Sequence, residues 1–503
     1  MKRLLIIPVF FLILLNLSYS GYTTPGTGRS WTLDSLVAYS GGTITFGSGA
    51  YLLNGDSLIV SRTDTLKIFT NIRLNFNSLS ILYVKGTLII NPPDSVKFSV
   101  ADTTLRFKGM VLDSANSSVL RKLIFEYANC INILDCSPLI DSCTLRNNYY
   151  YATGMKSGVI SLFRSNAIIS NCKIFNNIRA AIVGGANIAN SPTIINNLFY
   201  GNNISNYNTP QINLGSGGTS PIIIRNNYIL RASTNSGAIA FLPTGGIPSL
   251  IIENNIIKNN RYGIALLAGS INAIINNNII DSNNIQGSPS LGGSGLNFAG
   301  GWTTSSVICT KNTIRWNLWG VTIQNTAKPN LGNLSNSDTT DDGLNTIYGN
   351  GNTGAIYDLY NNTPDSIKAE NNYWGTTIID SVEAHIFHKP DSSALGFVDY
   401  IPISTITGIG NTQIRIDSYE MLEVFPNPYN PSVTIKFNIH TPGFVKMRVY
   451  DMLGREVHSI LNENLQSGTY ERNWNSANLA SGIYIISLVT QERTFAKRIA
   501  VIK

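Results

Sequence analysis

The chain has 503 residues and a formal net charge of +7, yet only 13% of its residues are charged while 43% are apolar. That balance excludes an intrinsically disordered chain, which needs lower hydrophobicity and more charge. Five cysteines, Cys130, Cys136, Cys143, Cys172 and Cys309, match no zinc-ligand spacing, and their odd number excludes a complete disulfide framework.

Residues 1–20 start with Lys2 and Arg3, run apolar from Leu4 to Leu15 and end in Ser18-Tyr19-Ser20. A basic start, a short apolar centre and a small-x-small site predict a Sec signal peptide. The run is too short to span a bilayer comfortably, so no transmembrane segment is expected once the signal is removed. No cysteine follows the cleavage site, which argues against a lipoprotein. The remaining residues, about 480, suffice for two to three domains.

Residues 21–120 show period-two alternation with short turns, as in Gly42–Val60 and Leu66–Val100. They read as an N-terminal cap and the first coils of a solenoid. A cap is required there, because the first coil would otherwise expose a strand edge and an open core.

Residues 121–403 repeat one short phrase, seen in Pro192–Asn203, Ser249–Asn260 and Ala273–Asn284. Its anchor falls at Cys143 and Cys172, then at Asn197, Asn227, Asn255, Asn278, Asn312, Asn345 and Asn372, at intervals of 23 to 34 residues. Such self-similarity with variable spacing marks a constant coil carrying loops of different length. Three residues before the anchor stand Ile140, Ile169, Ile194, Ile224, Ile252 and Ile275, and two after it a second branched apolar column. These are short inward-facing strands, since no 3.6-residue stripe runs through them. The anchor asparagines are expected to line an inward bend and hydrogen-bond along the stack. A parallel column five residues on starts at Asn148, Asn177 and Asn202. Inward amides cannot reach a ligand, so both columns read as structural.

A helical segment around Val382–Phe387 is expected to cover the far end, with His385 and His388 on one solvated helical face. Residues 404–420 read as a linker. From 421 to 503 longer alternating strands at sandwich-like spacing mark a separate domain.

Candidate chemistry is sparse. Between Arg121 and Asn330 the only acids are Glu126, Asp135, Asp141, Glu253 and Asp281. Asp141 and Glu253 share a column four coils apart, and Glu253 and Asp281 are expected at opposite ends of their strands. No pair meets the spacing of about 5–9.5 Å that glycoside hydrolysis needs. Arg146, Lys258 and Arg315 share an outward column and could supply a base, but no acidic calcium nest accompanies them. Asp338, Asp341 and Asp342 with Asn333 and Asn336 leave a calcium loop open, although an ordinary polar turn is favoured. The same stretch holds 14 Lys and Arg against five acids, so the solenoid is the basic part of the chain. A basic, Asn-rich wall suits an anionic glycan such as lipopolysaccharide or an acidic polysaccharide, and an exported chain is not expected to meet nucleic acid. Cys143 and Cys172, on adjacent coils, read as stacked fillers, with a disulfide left open.

Two family resemblances follow from these motifs. The Ile-x-Asn-Asn-x-Ile coils, with Pro329-Asn330-Leu331-Gly332 and Asn371-Asn372-Tyr373-Trp374-Gly375, resemble right-handed parallel β-helix repeats of the pectate-lyase-like superfamily over roughly residues 40–403. That family spans lyases and non-enzymatic adhesins, and no stretch here matches the lyases' calcium-binding acids and catalytic arginine. The tail resembles the type A C-terminal sorting domain of the type IX secretion system. The resemblance rests on Pro426, Asn427, Pro428, Asn430 and Pro431, on Asp451, Gly454 and Arg455, and on Gly482 and Tyr484. It implies a small Ig-like sandwich, partnership with the type IX machinery, and removal by a sortase-like peptidase that joins the cargo to lipopolysaccharide.

The expected fold class is therefore all-β, a right-handed parallel β-helix followed by a small Ig-like β-sandwich. The expected role is a secreted or surface glycan-binding or adhesive protein of a Gram-negative bacterium, without a catalytic site or an obligatory cofactor. A polysaccharide lyase or glycoside hydrolase on the same scaffold is the alternative.

Overall fold

The computed structural model describes residues 20–149, 158–352, 357–405, 422–425, 430–439, 443–451, 455–466, 468–476, 478–490 and 494–502. Nearly all of the signal-peptide reading and the linker reading lie outside them. The chain divides into two compact units, residues 1–412 and 413–503, each with its own apolar core.

The larger unit winds through three sheets of 14, 13 and 11 strands, parallel throughout except for the antiparallel pair Ile44–Gly47 and Ala50–Leu53 that opens the second. From Ser57 to Gly300 every strand pairs with the strand three places later in the chain, so one coil contributes one strand to each sheet. Strands of three to five residues suffice because each is buried on one side by its own coil and paired above and below. Ile140, Ile169, Ile194, Ile224, Ile252 and Ile275 form one inward column in the third sheet, with no side-chain exposure. Leu145, Ile174, Phe199, Ile229, Ile257, Ile280, Ile314 and Ile347 do the same in the second.

The bends between the second and third sheets carry the repeat's signature. Each anchor is preceded by a residue in the left-handed region: φ is 56° at Asn196, Asn226 and Asn277 and 57° at Asn254 and Asn371. Asparagine tolerates that conformation better than most residues. The first residue of each Asn-Asn pair therefore turns the chain and the second points inward. Asn227 Oδ1 accepts from both Asn197 N (2.9 Å) and Asn197 Nδ2 (3.0 Å). The same link repeats through Asn255, Asn278, Asn312, Asn345 and Asn372 at 2.9–3.0 Å. Each Nδ2 also donates to a carbonyl of the preceding coil, Ile169 for Asn197 and Ile224 for Asn255. Cys143 and Cys172 occupy the anchor place in earlier coils. Cys143 N lies 3.4 Å from Cys172 Sγ, and Cys172 N donates to Asn197 Oδ1. All five cysteines are buried free thiols, so no Cys143–Cys172 disulfide forms.

The second amide column, at the bend into the first sheet, has a gap. The coil of Tyr228–Leu230 offers no inward Asn, and Gln211 from the coil before fills the space. Its Oε1 accepts from Asn202 Nδ2 (3.0 Å) and its Nε2 donates to Asn260 Oδ1 (3.1 Å). The column resumes through Asn283 and Asn317 to Asn350 and ends on Asp358, which accepts Asn350 Nδ2 at 2.8 Å.

The two ends differ from the sequence reading. A helix at Leu33–Tyr39, capped reciprocally by Thr32 and Ser35, buries Leu33 and Leu36 against the first coils. It went unpredicted because two turns leave only a brief apolar stripe. At the far end the helix spans Ile379–Glu383, not Val382–Phe387, and Ile386–Phe387 is a strand of the first sheet. No helix among the described residues is long and apolar enough to cross a membrane.

The smaller unit is a sandwich of two antiparallel sheets. One holds Leu422–Phe425, Ser432–Ile439 and Gly468–Asn475; the other holds Gly443–Tyr450, Glu456–Leu465, Gly482–Val489 and Thr494–Val501. Val433, Ile435 and Phe437 of the first face Val449, Ile486 and Leu488 of the second in one core.

The amide ladder makes a stability prediction. Asn278→Ala strips the acceptor from Asn255 N and Nδ2 and the donor from Ile252 O. Leaving such buried groups unpaired is expected to cost about 3 kcal/mol in urea denaturation. Asn187→Ala, at an exposed loop position, should stay within about 0.5 kcal/mol.

Candidate functional site

With amides and aliphatic residues filling the interior, chemistry is left to the outward columns. In the second sheet one such column runs Glu126, Arg146, Phe175, Tyr200, Leu230, Lys258, Asp281, Arg315 and Tyr348. Arg146, Lys258 and Arg315 do share a column, but each stands beside a carboxylate. Glu126 lies between Lys97 and Arg146 (2.9 Å), and Asp281 between Lys258 and Arg315 (3.1 Å each). Both acids are almost wholly covered by these neighbours. Burial pushes each carboxyl upward, but the cations and the Ser99 and Ser282 hydroxyls outweigh it and hold both below the usual range. An arginine or lysine held in this way is a charge partner, not a free base.

The acids do not form a hydrolytic pair. Glu126 and Asp281 are six coils apart, about 29 Å at 4.8 Å per coil. Asp141 and Glu253 stand four coils apart, about 19 Å, in the outward column of the third sheet. Asp141 accepts from Ser170 and Asn171, and Glu253 pairs with Arg225. Glu253 and Asp281 each end their strand, but on different sheets, rather than lying at opposite strand ends.

The three coils between those of Asp141 and Glu253 contain no acid. On them and the next coil, the bends leading into the first sheet place Arg179, Arg231 and Arg261 along one edge. The Arg179 guanidinium sits 4.3 Å from the Tyr207 ring centre. Arg231 is exposed, with Nη1 3.5 Å from the Tyr200 hydroxyl. Arg261 Nη1 donates to Asn208 Oδ1 (2.7 Å), two coils back, and its Nη2 to Leu291 O. Neither Arg231 nor Arg261 meets a carboxylate among the described residues. Exposed Tyr207 and the amides of Asn206 and Asn235 complete a cationic, aromatic and amide-rich edge. Sequence reasoning found the excess charge but not this grouping, because the bends vary in length.

Other candidates resolve into structure. Trp319 stacks on Tyr357 (5.3 Å, 6°) and Tyr360 on Phe387 (4.9 Å, 16°) along the last coils. Faces are spent on neighbouring rungs, so the stack leaves few ring faces for a ligand. His385 and His388 do not share a solvated helical face. They flank the strand Ile386–Phe387, and His388 is wholly buried. His388 Nδ1 accepts from Val398 N (2.9 Å), which leaves Nε2 to donate to Glu383 (3.0 Å). His385 Nδ1 lies 3.1 Å from Asp358, the acid that ends the second ladder and whose carboxyl burial raises. In the acidic loop Asp338 caps its own turn through Thr340, and Asp341 Oδ2 accepts amides from Asn330 and Asn336. No three metal-ligating acids, cysteines or histidines converge among the described residues.

In the smaller unit Asp451 and Arg455 are joined by a 2.7 Å ion pair and by the bond from Arg455 N to Asp451 Oδ1 (3.0 Å). The Tyr484 hydroxyl donates to Ala480 O (3.0 Å), two residues before Gly482 opens its strand. Pro431, beside exposed Asn430, accepts from Ser476 N (2.9 Å). Pro426, Asn427, Pro428 and Gly454 lie outside the described residues.

Comparison with protein-family models agrees with this geometry. Residues 109–280 match a right handed beta helix region, and residues 423–503 match a secretion system C-terminal sorting domain. The chain carries a right-handed β-helix and a C-terminal sorting domain. The sorting domain implies a partner in the type IX secretion machinery and a destination outside the cell or at its surface. No curated protein matches the chain significantly.

The two buried carboxylates of the β-helix wall make it acid-sensitive. Each is held below its unfolded value, so its stabilisation is complete above about pH 4.5 and is lost as pH falls through the folded value. Glu126→Gln with Asp281→Asn is expected to cost about 2–4 kcal/mol at pH 7. Denaturation curves of variant and wild type should converge toward pH 3; a gap unchanged there contradicts this.

Proposed function

We propose that the β-helix is a secreted or surface-attached glycan-binding module that takes acidic polysaccharide or lipopolysaccharide on its outer wall. The observation that carries this reading is the acid-free stretch between Asp141 and Glu253 with the Arg179, Arg231 and Arg261 edge beside it. Guanidinium groups match carboxylate and phosphate geometry, and nearby tyrosine and asparagine side chains suit sugar rings and hydroxyls. The dispersed, cation-paired acids of the wall argue against the lyase and hydrolase alternative. The sorting domain delivers the module; its removal by a sortase-like peptidase and transfer of the cargo to lipopolysaccharide belong to the same proposal.

Binding of residues 21–503 to acidic and neutral polysaccharides and to lipopolysaccharide tests the first part. Acidic ligands should bind and be released by salt. Arg231→Ala with Arg261→Ala should weaken binding about tenfold or more, each charge-assisted contact being worth about 1.5–3 kcal/mol. No binding to any acidic glycan would overturn the reading, and release of unsaturated or reducing ends would establish the enzyme instead. For delivery, a chain lacking residues 421–503 should accumulate in the periplasm of a host with this pathway. Normal surface display of that truncation would contradict it.

A further inference from the structure

The third sheet of the β-helix presents an unusual outer face. Its central outward column is aliphatic from Ile89 to Ile308, interrupted only at Thr193. Ile168 and Ile274 within it are 43% and 45% exposed. Small residues such as Ser137, Ser249 and Asn272 flank it on one side, so nothing bulky shields the stripe. On the other side lies the column of Arg121, Asp141, Ser170, Ile195, Arg225 and Glu253. A water-facing sheet ordinarily carries polar residues at such positions. A continuous aliphatic stripe on an outer face, exposed at Ile168 and Ile274 and half-buried along the rest, marks an interaction surface.

The charges beside the stripe select the partner. Two in-chain ion pairs, Arg121–Asp141 and Arg225–Glu253, both place the cation one coil before the acid. Consider a second copy laid face to face and antiparallel, with a twofold axis between the coils of Ile168 and Thr193. Arg121 then opposes Glu253 of the other copy, and Asp141 opposes Arg225. The same axis sets Ile89 against Ile274, Val119 against Ile251, Leu139 against Ile223 and Ile168 against Thr193. A parallel arrangement, with the twofold along the stacking direction, would instead set the charged column against the small-residue column and pair no charges across the interface. Eight coils at 4.8 Å span about 38 Å, and three outward columns about 20 Å, so each copy would cover roughly 760 Å². That is close to the ~800 Å² per partner of a stable interface. We infer that the protein forms an antiparallel homodimer through the aliphatic outer face of its third sheet, with register set by the Arg121–Glu253 and Asp141–Arg225 contacts between copies. The interface is closed and isologous, and it leaves the arginine edge at the bends into the first sheet uncovered. It does not depend on the glycan reading.

Sedimentation velocity of residues 21–503 across 1–100 µM tests it. A twofold mass is expected, and Ile223→Asp with Ile251→Asp should yield monomer. Arg225→Glu with Glu253→Arg keeps the in-chain pair but sets Glu against Asp141 and Arg against Arg121; dimer affinity should fall at least tenfold. Adding Arg121→Glu and Asp141→Arg restores opposite charges across the axis and should return the dimer. Unchanged circular dichroism and melting identify folded variants, and the first swap, which leaves Asp141 and its bonds in place, decides the matter should the fourfold variant misfold. A wild-type monomer at 100 µM, an open-ended polymer, or a dimer indifferent to the isoleucine and charge changes would overturn the inference.

Discussion

The β-helix depends on a single constraint: a bend buried between two sheets must find partners for its backbone groups without water. Side-chain amides meet it. One asparagine per bend accepts the N–H and amide of the coil before it and donates to a carbonyl there. A neutral amide suits this place because it donates and accepts at once from two separate atoms, whereas a carboxylate only accepts, an ammonium only donates, and a hydroxyl does both through one oxygen with a single donor hydrogen. Slipping a coil by one residue would leave these groups unpaired and turn the isoleucine columns outward. The ladder thus fixes register as well as contributing stability.

The exceptions obey the same rule. Cys143 and Cys172 stand where the column gives way to sulfur at one end, and Asp358 ends the other column with His385 at its back. Gln211 crosses a coil that lacks an inward asparagine. In each case the bend's donors are met by whatever side chain can reach.

Much of this was legible in the sequence because the repeat writes its register into the chain. Adjacent Asn-Asn pairs with isoleucine three before and two after define columns without any structure. Gln211 lies outside the repeat phase, so no column could flag it. The aliphatic outer stripe was hidden because runs such as Ile222–Ile224 place an outward isoleucine between two inward ones, and a run of one residue type does not declare which member faces water. His388 was misplaced because a helical period was assumed where Ile386–Phe387 is a strand. The arginine edge forms across bends of unequal length, which sequence spacing cannot align. The tail was the easier part, since its motifs are local.

The division of labour follows: a sealed interior, an outer wall free to carry recognition, and a separate sandwich for export. The most direct test of the governing constraint is hydrogen exchange at the anchor bends. If buried amides hold them, the N–H groups of Asn197, Asn227, Asn255, Asn278 and Asn312 should exchange only with global opening, far more slowly than exposed loop residues such as Asn187. Exchange at those anchors as fast as in the outer loops would contradict the account.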